Sequence, residues 1–118
     1  MDKQVVQERT KQLAIRIIQM SNALPDTSAA QVIGRQIIRS ATSVGSNYRA
    51  VCRAKSTADM INKLKIVEEE ADETLFWLEI IIGASLLPEA RLNPLIQETN
   101  EILSMTVASI KTLRNRQS

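Results

Sequence analysis

Residues 56–87 constrain the fold most, because apolar side chains recur there at helical spacing and then cover most of the helix circumference. One seam advances in steps of three and four residues, through Met60, Leu64, Val67, Ala71, Leu75, Leu78 and Ile82. Ile61, Thr74 and Ile81 flank this seam. A helix that is apolar nearly all round must be enclosed by neighbours. The pattern therefore predicts a helical bundle, and it also predicts that copies associate to cover what the intrachain partners leave exposed.

Three further segments carry the same helical period. Their expected core positions are Val6, Thr10, Leu13, Ile17, Met20 and Leu24, then Ile33, Ile37, Val44, Tyr48 and Val51, and finally Leu95, Thr99, Ile102, Thr106, Ile110 and Leu113. Ser56 with Asp59 resembles a capping box, and Asn93 before Pro94 is typical of an N-cap and first helical position.

These patterns predict one all-α domain over residues 1–118, an antiparallel up-down-up-down four-helix bundle that assembles into a homo-oligomeric ring. The expected helices cover residues 4–24, 28–55, 57–87 and 94–116.

Composition argues against an enzyme. The chain has no histidine, which removes the commonest general base, the Ser-His and Cys-His pairs, and the Glu-x-x-His ligands of bundle di-iron sites. The single cysteine, Cys52, excludes an intrachain disulfide and is interpreted as a small packed residue. Glu69 and Glu73 lie one helical turn apart, but Ca²⁺ sites draw about six to eight oxygens from curved loops. We predict no catalytic residue, no metal and no cofactor.

No segment resembles a membrane span or a secretion signal. The longest weakly polar run, residues 74–87, contains Glu79 and is shorter than the roughly 20 residues that a span needs. Residues 1–4 lead directly into a charged amphipathic pattern. We expect a cytoplasmic protein that does not contact a membrane.

Charge is strongly polarised along a chain whose net charge is only +2. Residues 31–65 contain seven bases and one acid, whereas residues 66–90 contain seven acids and no base. On a helical wheel, four arginines of the second helix lie within about 40° of one line opposite the core, and a lysine follows them. These candidate nucleic-acid-binding residues are Arg35, Arg39, Arg49, Arg53 and Lys55.

Three interpretations of this polarity remain open. The basic stripe could meet the acidic patch of another copy in a heterologous contact that closes into a ring. It could instead face phosphates and give salt-dependent, sequence-independent binding. The third interpretation is that both are solvated helix faces with some intrachain ion pairs, each contributing about 0 to 1 kcal/mol.

Three stretches of sequence resemble a known family. They are QxxRSxxSVGSNY over residues 36–48, SxxDxIxKL over residues 56–64 and EAxETxxWL over residues 70–78. Together they resemble the four helix bundle protein family, also called the 23S rRNA intervening-sequence protein family, over about residues 5–115. The chain departs from the family pattern at Ala50, where a Glu is frequent, and at Met60, where an aromatic is frequent.

The resemblance implies a bacterial, cytoplasmic four-helix bundle that forms a homopentameric ring. A relative, the accessory variability protein of diversity-generating retroelements, implies a basic surface that binds RNA or DNA and a reverse transcriptase. The family motifs imply a polar network of Arg39, Ser43, Asn47, Glu70 and Glu73.

The interface residues come from the apolar half of the third helix and from a strip of small residues on the second, which would allow close approach of another helix. We predict that the subunit contact contains Gly34, Ala41, Gly45, Trp77, Leu78, Ile81 and Ile82. The predicted function is nucleic-acid binding, or an adaptor role for an RNA-directed enzyme. The alternative is a structural or protein-interaction module that binds no nucleic acid.

Overall fold

A computed structural model describes residues 2–117 and places four α-helices in them. The helices are Lys3–Ser21 (α1), Ser28–Val51 (α2), Thr57–Gly83 (α3) and Glu89–Gln117 (α4). Each helix packs against its neighbour in the chain, and α1 also packs against α4. The molecule measures 49 × 20 × 20 Å, as expected for helices of about 30 to 44 Å aligned with the long axis. The predicted all-α, four-helix fold is confirmed.

The core occupies the space between the four helices, and the predicted seams of α1 and α4 supply much of it. All the predicted positions are buried except Leu24 and Leu113, which are half-buried at the ends. The α3 seam is rotated slightly from the prediction, so that Ile61, Thr74 and Ile81 are buried while Met60, Leu75 and Ile82 are half-buried. Helical periodicity therefore identified most core positions correctly. The packing of α3 against α2 and α4 set the rotation of α3 about its own axis.

Polar side chains in this core form hydrogen bonds either within their own helix or to a neighbouring helix. The hydroxyls of Thr99 and Thr106 donate to carbonyl oxygens four residues earlier, at 2.7 and 2.8 Å. The hydroxyls of Ser40 and Thr74 lie 2.9 Å apart and join α2 to α3. On the other side, Arg9 of α1 donates to Glu98 of α4 at 2.6 Å, and this hydrogen bond raises the pKa of the guanidinium.

Several residues assigned to a subunit contact lie inside the bundle. Ala41, Leu78 and Ile81 are 0% exposed, so no neighbouring copy can reach them. Gly34 is also buried. These positions pack within the protomer, which corrects their assignment to a subunit interface.

Gly45 faces a neighbouring helix of the same chain. A Cβ atom added there would lie 3.5 Å from the carbonyl oxygen of Thr10. The small residues of α2 predicted the close approach of another helix. At Gly45 that helix is α1 of the same chain. Trp77 and Ile82 are half-buried, and their contact with another copy stays a prediction.

The helix ends differ from the prediction by three residues or more at four places. Helix α1 ends at Ser21 rather than residue 24. Helix α2 ends at Val51 rather than residue 55, and α3 ends at Gly83 rather than residue 87. Helix α4 begins at Glu89, so that Pro94 lies inside it instead of at its first position. The extra turn places Leu92 in the core at 0% exposure, which explains why the chain turns helical before the proline.

Candidate nucleic-acid interface

A tight connection between α2 and α3 positions the basic residues at one end of the molecule. Turn hydrogen bonds run from the amides of Arg53 and Ala54 to Ala50 and Val51 oxygens, both at 3.1 Å. The Ser56 hydroxyl then caps α3 by accepting from the Asp59 amide at 3.1 Å. This confirms the predicted N-cap of α3.

Asp59 fixes the connection from the other side. Its carboxylate accepts from the Lys55 amide at 3.1 Å and lies 3.3 Å from the Lys63 ammonium. The backbone hydrogen bond from Lys55 lowers the pKa of Asp59, and Lys63 lowers it further. The reciprocal bond of a capping box is therefore displaced by one residue, from Ser56 to Lys55.

An open groove of about 610 Å³ lies beside this connection, and we call it the basic groove. Its lining consists of Ser46, Arg49, Ala50, Arg53, Lys55, Ser56, Asp59 and Lys63. Four cations and one carboxylate therefore face the same space. Arg49 lies in the last turn of α2 and Arg53 in the turn that follows Val51, and both guanidinium groups face the groove.

Three of the groove cations are free of carboxylates. Within residues 2–117, Arg49, Arg53 and Lys55 have no carboxylate oxygen within 4.0 Å, and their side chains are exposed. Such an arrangement can attract a phosphate without first breaking an ion pair.

The prediction had not included Lys63. It lies four residues after Asp59 in the first turns of α3, and a helical-wheel comparison of both helices near the connection could have indicated it.

Arg39 does not belong to this groove. It donates to Glu70 at 3.1 Å and also pairs with Glu73, so its charge is already neutralised within the chain. The Trp77 indole N–H donates to the same Glu73 carboxylate at 3.2 Å. One of the three interpretations of the charge pattern was that basic and acidic residues form ion pairs within the chain. Arg39 forms such pairs with Glu70 and Glu73.

Arg35 is also separate from the groove. It is exposed, but it precedes Arg49 by 14 residues, which corresponds to about 21 Å along a helix. The structure therefore brings together three of the five predicted nucleic-acid-binding residues.

The predicted polar network divides into two parts. Arg39, Glu70 and Glu73 form one cluster that joins α2 to α3. Asn47 instead donates to the hydroxyl and the carbonyl oxygen of Ser43, both at 2.9 Å. This pair stays within α2, so it does not position the ion-pair cluster.

A match to a protein-family model places the sequence among known proteins. The 23S rRNA-intervening sequence protein model matches residues 2–108. The chain belongs to this family. The two sequence departures at Ala50 and Met60 therefore lie within the family rather than outside it.

A solved crystal structure has the same fold. The crystal structure of a protein of unknown function from the S23 ribosomal protein family of Bacteroides thetaiotaomicron VPI-5482 superimposes with a TM-score of 0.86. The two sequences are 34% identical over 94% of this chain and 99% of the other. No curated protein matches the sequence. Neither description of the family names an enzymatic activity.

The described residues form neither a metal site nor a membrane-spanning helix. Within residues 2–117 no three Cys, Asp or Glu side chains converge in a way that could hold a metal ion. On α3, Glu70 and Glu73 pair with Arg39 and Asp59 pairs with Lys63, whereas Glu69, Asp72 and Glu79 are exposed. None of the four helices, as far as they are described, combines the length and apolarity needed to cross a bilayer.

Proposed function

We propose that this protein is a non-enzymatic nucleic-acid-binding protein whose basic groove contacts the phosphate backbone. The observation that carries the proposal is the convergence of Arg49, Arg53 and Lys55 on one open groove with no carboxylate paired to them in residues 2–117. Cations placed along a groove release counterions from nucleic acid, so binding should be salt-dependent.

Recognition would rest on phosphates more than on bases. The tryptophan and the exposed Phe76 both lie on α3, 13 to 14 residues beyond Lys63, or roughly 20 Å along the helix. Trp77 packs with Phe76 and bonds to Glu73. Since single-strand binders usually stack bases on aromatic side chains within the groove, we infer little base specificity. The family description refers to 23S rRNA, which makes RNA the first ligand to test.

We also propose that the helices run up-down-up-down and that copies assemble into a ring, with a pentamer expected. A cavity at one end of the bundle supports the antiparallel arrangement, because its lining joins Val6 and Leu64 from the first turns of α1 and α3 with Val51 and Leu113 from the last turns of α2 and α4. Exposed Val32 and Phe76, each about half accessible, support self-association. A ring would present several weak grooves to one ligand and so raise avidity.

An adaptor role in the cytoplasm follows from this proposal. A ring holding RNA on one surface could present it to an RNA-directed enzyme such as a reverse transcriptase. The alternative is a structural or protein-interaction module without nucleic-acid binding. The exposed Phe76–Trp77 pair, with ring centroids 5.1 Å apart, favours that alternative because aromatic side chains dominate protein-interaction hot spots.

The test is fluorescence anisotropy with a labelled single-stranded RNA at about 50 and 200 mM salt. We expect binding at low salt that weakens steeply at high salt. In Arg49→Ala/Arg53→Ala, affinity at low salt should fall at least about tenfold, and the slope of log K against log salt should decrease by about 1.4 because two phosphate contacts are lost.

Arg39→Ala is the matched control, because it removes an arginine from the same helix whose guanidinium is already paired. Its RNA affinity should stay within about twofold of wild type, as expected for a residue outside the phosphate contacts. Absence of binding at low salt, or equal losses in both variants, would refute the nucleic-acid proposal and favour the protein-interaction module.

A further inference from the structure

A second cavity opens at the end of the bundle where α1 begins and α4 ends. Its volume is about 490 Å³, within the range of roughly 300 to 1,000 Å³ that is typical of small-molecule sites. Core residues form its walls, since Val6, Val51 and Leu64 are only 3%, 2% and 2% exposed. Met60, Met105 and Leu113 add further apolar surface, and α4 also contributes the hydroxyl side chains of Ser104, Thr106, Ser109 and Thr112. Methionine side chains adapt to irregular apolar ligands, so these walls suit a flexible hydrocarbon chain.

Tyr48 adds a phenolic hydroxyl to the lining, next to the apolar walls. The residue as a whole is 7% exposed, and its hydroxyl forms no hydrogen bond with residues 2–117 but is accessible from the cavity. Burial raises the pKa of Tyr48 to about 12, so the phenol keeps its proton at neutral pH and can donate. Since no buried side-chain oxygen or nitrogen among residues 2–117 lacks a hydrogen-bond partner, this hydroxyl reaches the open space of the cavity, where a ligand oxygen would accept its proton.

The mouth of the cavity is positively charged. Lys3 and Arg116 contribute to its lining, and neither has a carboxylate oxygen within 4.0 Å in residues 2–117. Asp2 is the opposing charge near Tyr48, but it caps α1 by accepting from the Gln4 amide at 2.9 Å. Among the residues from 2 to 117, these two cations therefore outnumber the one nearby carboxylate, that of Asp2.

We propose that this cavity binds an anionic amphiphile, namely a carboxylate with a medium-length acyl chain. The chain would lie among the aliphatic and methionine side chains, with its carboxylate near Lys3 and Arg116, and the Tyr48 hydroxyl would donate to a carboxylate oxygen. The site is separate from the basic groove, since the two share no lining residue. It therefore does not depend on the proposed nucleic-acid function.

Isothermal titration calorimetry with sodium dodecanoate, kept below its micelle concentration, tests the proposal. We expect saturable binding of one dodecanoate per chain, and at least tenfold weaker binding of dodecyltrimethylammonium, whose chain is the same and whose charge is opposite. No saturable dodecanoate binding, or equal binding of both amphiphiles, would overturn the proposal. A stoichiometry that changes with protein concentration would indicate that a second copy covers the cavity, and would overturn it too.

Variants then locate the binding. Ala108→Trp should abolish it, because Ala108 is an exposed lining residue whose enlargement blocks the cavity. If circular dichroism shows that Ala108→Trp is unfolded, Thr112→Trp replaces it, because Thr112 is also an exposed residue that lines the cavity. Lys3→Ala/Arg116→Ala should weaken dodecanoate about tenfold.

The charge-matched control is Lys11→Ala/Arg91→Ala, because both residues are exposed and neither lines the cavity. This variant and Arg49→Ala/Arg53→Ala should bind dodecanoate as wild type does. Loss in the basic-groove variant, or retention in a folded tryptophan variant, would place the ligand elsewhere and overturn the proposal.

Discussion

At the scale of single residues, Gly45 shows how the small side chains of α2 are used. An added Cβ would lie 3.5 Å from the carbonyl oxygen and 3.6 Å from the carbonyl carbon of Thr10. These distances are ordinary van der Waals contacts, so an alanine fits without displacing α1. A longer side chain would meet the α1 backbone, which cannot give way as a flexible side chain can.

Gly45→Ala should therefore stabilise the protein. Glycine in a helix interior costs about 0.5 to 1 kcal/mol relative to alanine, and the free energy of unfolding in urea should rise by about that amount. Gly45→Leu should lower it by about 1 to 3 kcal/mol through overpacking. A destabilised Gly45→Ala variant would mean that α1 approaches α2 more closely than the structure shows.

Asp59 links the stability of the α2–α3 connection to pH. The hydrogen bond from the Lys55 amide lowers its pKa in the folded state. An aspartate in the unfolded chain has a pKa of about 3.9. Because folding lowers the pKa of Asp59, its ionised carboxylate stabilises the folded protein at pH values above the unfolded pKa. This stabilisation is lost as the pH falls through the folded pKa.

Asp59→Asn should consequently be less stable than wild type at pH 7, and the difference should shrink as the pH falls below about 4. Urea unfolding of both proteins at pH 7 and pH 3 measures this. An equal difference at both pH values would show that the ionised carboxylate does not stabilise the connection.

At the scale of elements, the end of α3 explains why this helix stops at Gly83. Ser85 adopts a positive φ of 57°, and the amides of Ser85 and Leu86 donate to Ile82 and Ile81 oxygens, both at 3.0 Å. This pair of bonds is a Schellman motif, which usually places glycine at the left-handed position. Apolar residues 86 and 87 continue the helical pattern in sequence, so periodicity alone overestimated the helix.

Ser85→Gly should raise the free energy of unfolding by about 0.5 to 1 kcal/mol. Glycine relieves the left-handed strain of about 1 to 2 kcal/mol, although its greater freedom in the unfolded chain offsets part of that gain. Ser85→Ala retains the strain and should show no gain in the same urea titration. Equal stability of the glycine and alanine variants would contradict the strained cap.

The start of α4 shows packing overriding a local signal. A proline at the sixth helical position deprives the Ala90 carbonyl of its intrahelical partner. Ala90 is exposed, so water can solvate that carbonyl. The additional turn meanwhile buries Leu92 completely, and full burial of a leucine contributes about 1.5 to 3 kcal/mol. The asparagine–proline pair therefore does not mark the helix start.

At the scale of the whole molecule, the proposed self-association should use side chains that the bundle leaves accessible. Leu78 is in the core, and a charge there would unfold the protomer. Phe76 is 51% exposed and packs edge-to-face on Trp77. A substitution of Phe76 therefore tests self-association without disturbing the core, whereas a substitution of Leu78 would disturb it. It lies beside the half-buried residues of α3 predicted to contact another copy.

Light scattering after size-exclusion chromatography should show an oligomer for the wild type and a lower mass for Phe76→Glu, because a charge in an apolar contact is costly. Val107→Glu, which changes a residue of α4 that is 45% exposed, should keep the wild-type mass. A wild type that remains a 13.2 kDa monomer at high concentration would refute self-association.

Much of the fold was predictable from sequence because its signals are local or periodic. Apolar steps of three and four residues identified the four helices and most of their buried positions, and Ser56 with Asp59 marked the start of α3. The candidate site was less predictable. Arg49 and Arg53 were identified from their predicted helical phase and Lys55 from its position just after them, whereas the pairing of Arg39 and the contribution of Lys63 required the neighbouring helix.

The sequence by itself thus determined where the four helices lie along the chain and which face of each is apolar, since both depend mainly on neighbours within a few residues. The exact helix ends, as at the start of α4, depended on packing. Only the tertiary structure decided which charges are free. Arg39 is neutralised by acids 31 and 34 positions away, while Lys63 joins arginines from the preceding helix. Helical phase specifies the direction of a side chain, but the opposing charge comes from whichever helix packs against it.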